Sequence, residues 1–363
     1  MIILSLETSC DETACAILEE KNGAFSVLAN IVSSQIALHA KWGGVVPNLA
    51  AREHLKNIIL VIDEALKKSR LTSKDINLIA VTNGPGLIPA LLIGVETAKT
   101  LSYLWKKPLI GIHHIEGHIY ANFISDKISV ESKVKSQKSK ETKINFPILC
   151  LVVSGGHTQL VLMKKHLSYE IIGETQDDAV GEAFDKVARI LGLGYPGGPA
   201  VAKEAVGVKK YKLEAPLPRP MIKSDNFNFS FSGLKTAVLY LVKKNEKLLK
   251  NNDFVSAVCQ EFQQAVCDVL ISKTMRAAKK YNPKTIMLAG GVSANTELRK
   301  QLGASVQDEL LNALYMIPNI SYSVDNAAMI AIAASFRYKL KKNTRKLKNN
   351  WEDLETNANL KLN

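Results

Sequence analysis

The chain has 363 residues, of which 47% are hydrophobic and 22% are charged. This apolar content is enough to bury a core, which excludes an intrinsically disordered protein. Single cores stop growing at about 250–300 residues, so the length predicts two domains or two halves of one large body. Clefts between such halves are common ligand sites.

The apolar pattern and the cysteines indicate where the protein works. Even residues 87–104 are interrupted by Glu96 and Lys99, whereas a bilayer span needs about 18 or more apolar residues. The start of the chain lacks a basic region and reaches Glu7 too early for a signal peptide. The five cysteines contain no CxxC pair and are too scattered for a disulfide framework. We therefore expect a cytoplasmic protein with reduced cysteines and no membrane association.

The net charge of +13 favours an anionic partner. Seven basic residues and no acidic ones lie between Arg337 and Lys348, where a solvated tail and a nucleic-acid contact are both open. Residues 126–145 are rich in Lys and Ser and poor in large apolar side chains, which predicts a flexible insertion.

Two halves of the chain show the same order of predicted elements. In the first half, strands at 2–7, 14–18 and 25–33 precede a helix at 49–68 and a buried strand at 78–82. In the second half, strands at 148–153, 158–163 and 169–173 precede a helix at 181–191 and a buried strand at 285–288. Glycine-rich turns follow both buried strands, at 83–86 and 289–291.

This order predicts an internal duplication with a period near 150 residues. Strands that alternate with helices predict an α/β protein with mostly parallel sheets. We expect the lobes at 1–125 and 146–337, a flexible insertion at 126–145 and a basic tail at 338–363. Two such lobes suggest a pair of domains that clamp a nucleotide, although the strand-glycine-helix pattern alone occurs in many α/β folds.

A histidine pair is the first candidate for chemistry. His114 and His118 are four residues apart, which places both imidazoles on one helical face and suits a first-row metal. The pair could also arise by chance, but three of the seven histidines fall within six residues. Glu116 lies about 200° around the helix from each of them, which disfavours a zinc-protease mechanism. Asp325 is the candidate third ligand; the alternative is a plain N-cap of the helix that follows.

Other polar turns offer binding groups. The segment 7–13 carries hydroxyls and three acids between two strands, so that Asp11 or Glu12 could serve as a base, although an ordinary polar turn is equally open. Residues 152–158 repeat this hairpin with glycines that allow close approach to a ligand. Asp185 shares a helical face with Arg189, and taken alone this pair is better explained as a surface ion pair.

Together these motifs closely resemble the bacterial tRNA adenosine threonylcarbamoyltransferase family, formerly labelled O-sialoglycoprotein endopeptidase. The resemblance extends from residue 1 to about residue 337. It rests on motifs at 7–13, 99–100, 105–108, 114–119, 152–159, 181–185, 229–235, 290–295 and 325–326.

The resemblance implies a duplicated actin-like, sugar-kinase-like ATPase fold with two lobes and an interlobe cleft. It implies transfer of the threonylcarbamoyl group of threonylcarbamoyl-adenylate to N6 of adenosine 37, in tRNAs that read codons beginning with A. His114, His118 and Asp325 would bind a metal, usually described as iron, with zinc also suitable. Asp11 and Glu12 match the acidic pair implicated in activity. The adenylate would be held by Val152, Val153, Ser154, Gly155, Gly156, Asp185, Gly198 and Asn295.

The resemblance also implies partners, namely tRNA, an inactive paralogous subunit and a small ATPase. Three rival functions stay open. A metal-dependent protease would need a correctly placed Glu, and a small-molecule kinase would transfer the γ-phosphate of ATP. A non-catalytic scaffold would resemble the paralogous subunit, which lacks the metal ligands that this chain has.

Overall fold

The computed structural model describes residues 1–124, 144–207, 211–343 and 351–362. The predicted insertion at 126–145 lies outside the described residues except for Ile144 and Asn145, and positions 344–350 of the basic tail also lie outside them. The chain forms two compact units. The first unit contains described residues 1–124, 318–343 and 351–362, and the second contains 144–207 and 211–317.

The first unit begins with a five-stranded sheet and four helices. Its strands are β1 Ile2–Glu7, β2 Glu12–Lys21, β3 Ala24–Ser34, β4 Leu78–Gly84 and β5 Leu109–His113. Its first helices are α1 Ile36–Ala40, α2 Pro47–Ser69, α3 Ile88–Trp105 and α4 His114–Tyr120, which a 3₁₀ turn at Ala121–Phe123 follows.

The second unit repeats a five-stranded sheet. Its strands are β6 Ile148–Val153, β7 Thr158–Lys165, β8 Ser168–Glu174, β9 Thr285–Ala289 and β10 Leu314–Met316. Its helices are α5 Val180–Ile190, α6 Gly197–Ala205, α7 Ser232–Lys244, α8 Asn252–Tyr281 and α9 Thr296–Glu309, with 3₁₀ turns at Glu246–Lys250 and Gly291–Ala294.

The two sheets have the same topology. The strand orders are β3-β2-β1-β4-β5 and β10-β9-β6-β7-β8, so β6 takes the place of β1 and β9 that of β4. This confirms the predicted duplication. Both sheets are mixed, which corrects the prediction of mostly parallel sheets. Short connections join β1 to β2 and β2 to β3 and make these pairs antiparallel, whereas β4 and β5 follow helices and run parallel to β1.

Helices bury both faces of the first sheet. Leu4 and Leu6 of β1 belong to a core cluster with residues of α2 and α3. Ser5 lies between these two leucines and points to the opposite face of the sheet. There its hydroxyl donates a hydrogen bond to the Ala327 carbonyl oxygen at 2.6 Å. A strand that is covered on both faces needs a nearly continuous apolar sequence, as β1 has.

The chain returns to the first unit at residue 318, where α10 Ile320–Ser323 and α11 Ala327–Asn343 follow. The prediction had placed residues up to 337 in the second lobe, and this boundary is wrong. The reason is packing, since α11 contacts all five strands of the first sheet and α4. Residues 338–343 likewise continue α11 rather than forming a tail. No helix in the described part of the chain has the length and apolarity that a bilayer crossing needs.

Candidate functional site

The helix α4 carries the histidine pair directly after β5. Its N-cap is His113, whose Nδ1 accepts a hydrogen bond from the Ile115 N–H at 3.1 Å. His114 and His118 then lie one turn apart, with ring centroids separated by 4.7 Å. Both side chains are buried. The predicted placement of the two imidazoles on one helical face is therefore observed.

Asp325 lies beside this pair, because α11 packs closely against α4. The Asp325 Oδ1 atom is 3.1 Å from His118 Nε2 and 3.6 Å from His114 Nε2. The capping role falls to its neighbour Asn326, whose Oδ1 accepts a hydrogen bond from the Met329 N–H at 3.1 Å. The alternative interpretation of Asp325 as a plain N-cap is therefore wrong. The cap is Asn326, and the Asp325 carboxylate faces the histidines instead.

These three side chains fit a metal ion. One ligand atom from each of His114, His118 and Asp325 lies within 4.8 Å of the others. His118 is buried, and neither of its ring nitrogens makes a hydrogen bond to any described residue, since Nε2 faces Asp325 outside hydrogen-bond geometry. Burying imidazole nitrogens that make no hydrogen bond is costly, and a bound cation would satisfy one of them. Two imidazoles and one carboxylate suit zinc or iron and leave coordination positions open.

Glu7 contacts the Nδ1 atom of His114, whereas Nε2 of the same ring faces Asp325. Its Oε2 lies 3.1 Å from His114 Nδ1 and accepts the Thr82 hydroxyl at 2.6 Å. Its Oε1 accepts the Ser9 N–H at 2.6 Å, and the Ser9 hydroxyl lies 3.1 Å from the same Nδ1. A carboxylate that binds the second nitrogen of a ligating histidine is typical of metal sites, where it fixes the ring orientation.

Electrostatics in this cluster favour cation binding. Burial alone would lower the pKa of His114, but the carboxylates of Asp325 and Glu7 outweigh burial and raise the pKa to about 9. Burial would raise the pKa of Glu7, but the His114 imidazole outweighs it and holds that pKa below the ordinary value. The pocket therefore stabilises positive charge at the place where a cation would bind.

Glu116 takes part in a different interaction. It is fully buried, and Arg337 of α11 binds it through two contacts of 2.5 Å, from Nε to Oε1 and from Nη2 to Oε2. The Glu116 carboxylate is therefore bound by an arginine and does not face the histidine pair as a general base would. Arg337, the first residue of the predicted basic stretch, is partly buried and pairs with Glu116 within the first unit.

Asp11 and Glu12 follow the β1–β2 turn. Asp11 is buried, and Glu12 begins β2 and accepts the Ser34 hydroxyl at 3.1 Å. Burial, assisted by the nearby carboxylates of Asp11 and Asp325, raises the pKa of Glu12 well above its ordinary value. Glu12 therefore holds its proton to higher pH, and Asp11 is the better candidate for a proton acceptor.

In the second unit, the β6–β7 turn exposes backbone to solvent. Ser154 closes the turn, since its N–H donates to the His157 carbonyl at 2.8 Å and its Oγ accepts the His157 N–H at 3.1 Å. Gly155 and Gly156 are exposed, and beyond their chain neighbours no described atom lies within 4 Å of where a Cβ would be. The space beside these two glycines is therefore open to a ligand.

Val152 and Val153 have a more limited role than expected. Both side chains are completely buried in β6, so that only their backbone atoms could contact a ligand. A Cβ on Gly290, which follows β9, would lie 2.4 Å from the Val153 carbonyl oxygen, and this close approach brings the two turns together. The Gly181 N–H at the start of α5 donates to the Ser154 carbonyl at 3.2 Å. The β6–β7 turn, the turn after β9 and the start of α5 therefore lie close together in the second unit.

Asp185 and Asn295 are engaged in capping. Asp185 accepts the Gly197 N–H at 2.7 Å at the start of α6, next to Gly198. Asn295 is the N-cap of α9, since its Oδ1 accepts the Leu298 N–H at 3.0 Å, and its Nδ2 donates to Gln263 at 2.8 Å. Both side chains thus shape their loops.

Several residues of the site were not singled out from the sequence. Glu7 had been noted only as part of an acidic turn, and Thr82 and His113 had been given no role. A polar side chain at the end of an otherwise apolar strand was the available signal for Glu7 and Thr82. Nothing in the local sequence pointed to the pairing of Arg337 with Glu116, because they are 221 residues apart.

Comparison with known proteins agrees with the resemblance. The profile of the family described as tRNA N6-adenosine threonylcarbamoyltransferase matches residues 26–332. Proteins of that name from Bacillus subtilis and Thermosipho africanus are both 48% identical, over 343 and 339 residues. These matches cover 93% of this chain in both cases, and 91% and 95% of those proteins.

The fold is shared with a solved structure, T. kodakarensis HypF. The TM-score is 0.58 at 12% identity, with 97% of this chain and 49% of that chain covered. This likeness and the repeated sheet topology confirm the predicted duplicated actin-like α/β fold, while the cleft between its lobes stays a prediction. The chain therefore belongs to the tRNA N6-adenosine threonylcarbamoyltransferase family and is a transferase that modifies tRNA.

Proposed function

We propose that the protein transfers the threonylcarbamoyl group of threonylcarbamoyl-adenylate to N6 of adenosine 37, in tRNAs that read codons beginning with A, and releases AMP. The reaction takes place in the cytoplasm. The observation that carries the proposal is the buried convergence of His114, His118 and Asp325, next to an acidic turn in a chain of this family.

His114, His118 and Asp325 would hold one divalent cation, Fe²⁺ or Zn²⁺. When bound, the cation supplies positive charge that binds the threonyl carboxylate or polarises the carbamoyl carbonyl. Glu7 keeps the His114 ring in the orientation that points Nε2 toward Asp325. The carboxylates of Glu7 and Asp325 offset the charge of the cation in this buried pocket.

The second unit would hold the adenylate. The exposed turn at Gly155 and Gly156 would bind the phosphate through its backbone, as N–H groups in a tight turn bind anions. Val152, Val153 and Ser154 would contribute backbone atoms. Asp185, Gly198 and Asn295 would fix the shape of the loops that surround the nucleotide, a role that their capping hydrogen bonds support.

Asp11 would accept the proton. Adenine N6 is a poor nucleophile because its lone pair is delocalised into the ring, so orientation and proton removal must lower much of the barrier. The N6 nitrogen forms a bond to the carbamoyl carbon, and the bond from this carbon to the phosphate oxygen breaks. AMP leaves with the electron pair of that bond, and the proton of N6 passes to Asp11.

We also propose that the protein acts with an inactive paralogous subunit and a small ATPase. The support for this is family membership. The role of tRNA as the acceptor follows from the same membership and agrees with the net charge of +13.

A reconstituted reaction tests the proposal. The metal-loaded protein, alone and with the two partner proteins, is incubated with synthetic threonylcarbamoyl-adenylate and a tRNA transcript, and the nucleosides are analysed by mass. We expect threonylcarbamoyl-adenosine from the transcript and none from a transcript with guanosine at position 37. Failure to modify the transcript with both partners present would overturn the proposal. Transfer of label from the γ-phosphate of ATP to a metabolite would establish a kinase instead.

A further inference from the structure

Residues 351–362, which we call the C-terminal strap, lie along the first unit without forming a helix or strand. The strap crosses the turn 83–86, the glycine-rich turn at the end of β4, which has no role in the proposed reaction. It also reaches His113, the residue directly before the metal-ligand helix. These two contacts connect the C-terminal strap to the helix that carries His114 and His118.

The strap is hydrogen-bonded to the turn. The Asn357 N–H donates to the Asn83 carbonyl at 2.8 Å, and the Asn83 side-chain amide donates to the Glu355 carbonyl at 3.1 Å. A Cβ on Gly84 would lie 2.0 Å from the Asn357 carbonyl oxygen. Because the obstacle is backbone, the strap can occupy this place only when residue 84 is glycine.

Apolar side chains anchor the strap at both ends. The Trp351 ring packs on Tyr103 of α3, with the ring centroids 5.5 Å apart. Leu354 packs against the core of the first unit, and Leu362 is only 7% exposed. The strap is therefore docked by packing as well as by hydrogen bonds.

His113 links the strap to α4. Its Nδ1 accepts the Ile115 N–H, so the proton of the neutral ring lies on Nε2, which is 3.0 Å from the Leu360 carbonyl oxygen. The ring thus caps α4 with one nitrogen and donates to the strap with the other. Helix α4 has only seven residues, and a helix this short is not stable by itself in water, so its position depends on such tertiary contacts.

A second route leads from the strap to the other side of His114. The Gly86 N–H lies 3.4 Å from the Ala358 carbonyl oxygen of the strap. The next residue, Leu87, donates its N–H to the Ser9 carbonyl at 2.8 Å. Ser9 in turn places its hydroxyl 3.1 Å from His114 Nδ1. The strap therefore supports His114 both through α4 and through the β1–β2 turn.

We propose that the C-terminal strap is a positioning element for the metal centre, which fixes the position of α4 and the orientation of His114 through His113 and the turn 83–86. This inference rests on the proposed function, in which His114, His118 and Asp325 bind a cation. Ligands that are held in place by surrounding contacts bind a metal more tightly than ligands that must be ordered on binding.

The first test removes the strap by a stop codon after Asn350 in the full-length chain. Hydrogen exchange is measured on peptides that cover residues 114–120, and zinc loss is followed with a fluorescent chelator. We expect faster exchange in α4 and zinc dissociation faster by about 10–100-fold, the range that follows removal of groups that orient metal ligands. A synthetic peptide of residues 351–363 added in excess should reverse both changes.

The second test keeps the strap and breaks only its link to α4. His113→Asn retains an N-cap acceptor for the Ile115 N–H but is too short to reach Leu360. We expect this variant to show faster α4 exchange and zinc loss, in the same direction as the truncation. Glu352→Gln, an exposed change within the strap, should leave both rates unchanged and serves as the matched control.

Unchanged exchange in α4 in His113→Asn and in the folded truncated protein would overturn the proposal. If the truncated protein fails to fold, the result for His113→Asn decides. If the unmodified protein binds no zinc or iron, the proposed function fails. The exchange measurement, which needs no metal, still decides whether the strap positions α4.

Discussion

Arg337 binds the fully buried carboxylate of Glu116 through two nitrogen atoms. The pair joins α11, which follows Asp325, to α4, which carries His114 and His118. His114 and His118 lie about 200 residues before Asp325 in the chain, and this ion pair is one of the contacts that join the helices beside them. Its contribution can be tested through stability.

Arg337→Met should lower the free energy of unfolding by about 3 kcal/mol, because it removes the two charged hydrogen bonds that Arg337 donates to the buried Glu116 carboxylate. The double change Glu116→Met with Arg337→Met should recover most of that loss, since it removes the buried charge. Denaturant unfolding measures both. Lys67→Met is the control, because its ion pair with Asp63 has both side chains exposed and should contribute little to stability. Equal losses for Arg337→Met and Lys67→Met would contradict the account.

Glu7→Gln should weaken metal binding by about 10–100-fold, because the amide no longer supplies the charged acceptor for His114 Nδ1. Competition with a chelator of known affinity gives the dissociation constant. Thr82→Val removes the hydroxyl that donates to Glu7 but leaves the Glu7–His114 contact, so its effect should be smaller. A Glu7→Gln protein with unchanged metal affinity would show that this contact does not orient the ligand.

Asp11→Asn should lower kcat for tRNA modification by about 10²–10⁴-fold, the range for loss of a general base, with little change in tRNA binding. Glu12→Gln should have a smaller effect on kcat, because burial and the carboxylates of Asp11 and Asp325 raise the pKa of Glu12, so that it holds its proton to higher pH than an ordinary carboxyl group. Single-turnover kinetics with the adenylate in excess separate the chemical step from binding. A larger loss in Glu12→Gln than in Asp11→Asn would reverse the two roles.

Neutralising the basic residues that precede the strap tests whether they bind tRNA. Changing Lys341, Lys342, Arg345, Lys346 and Lys348 to Gln keeps the C-terminal strap in the chain. If these residues bind phosphates, the log–log dependence of tRNA affinity on salt should flatten by roughly 0.7–0.9 for each phosphate that is no longer neutralised. Filter binding at several salt concentrations measures the slope. An unchanged slope would exclude a role for these residues in tRNA binding.

Much of the fold could be predicted from sequence because both sheets have strongly patterned strands. The predicted strands at 2–7 and 148–153 match β1 and β6, and the duplication follows from their repeated order. Strand direction could not be predicted as well, because periodicity indicates a strand but not its partner. The return of α11 to the first unit was also missed, because it depends on packing between segments that are far apart in the chain.

The placement of His114 and His118 on one helical face was predicted correctly, because both residues lie within one helical turn, whereas their role as metal ligands stays a prediction. Asp325 was harder to place, because local sequence cannot decide whether Asp325 or Asn326 caps α11. The structure shows that the cap is Asn326, because the Asn326 Oδ1 accepts a hydrogen bond from the Met329 N–H. Glu7, Thr82 and His113 were not assigned because their partners are distant in sequence. The assigned roles of Asp11 and of the residues that would hold the adenylate stay predictions.

The central claim is that the cluster of His114, His118 and Asp325 holds the cation that the transfer needs. The most direct measurement is the rate of threonylcarbamoyl-adenosine formation in the reconstituted reaction for a His114→Ala/His118→Ala protein, beside its metal content and its circular dichroism spectrum. We predict a folded protein without bound metal and a rate at least about 100-fold below that of the unmodified protein. A folded, metal-free variant that modifies tRNA at the full rate would contradict the account.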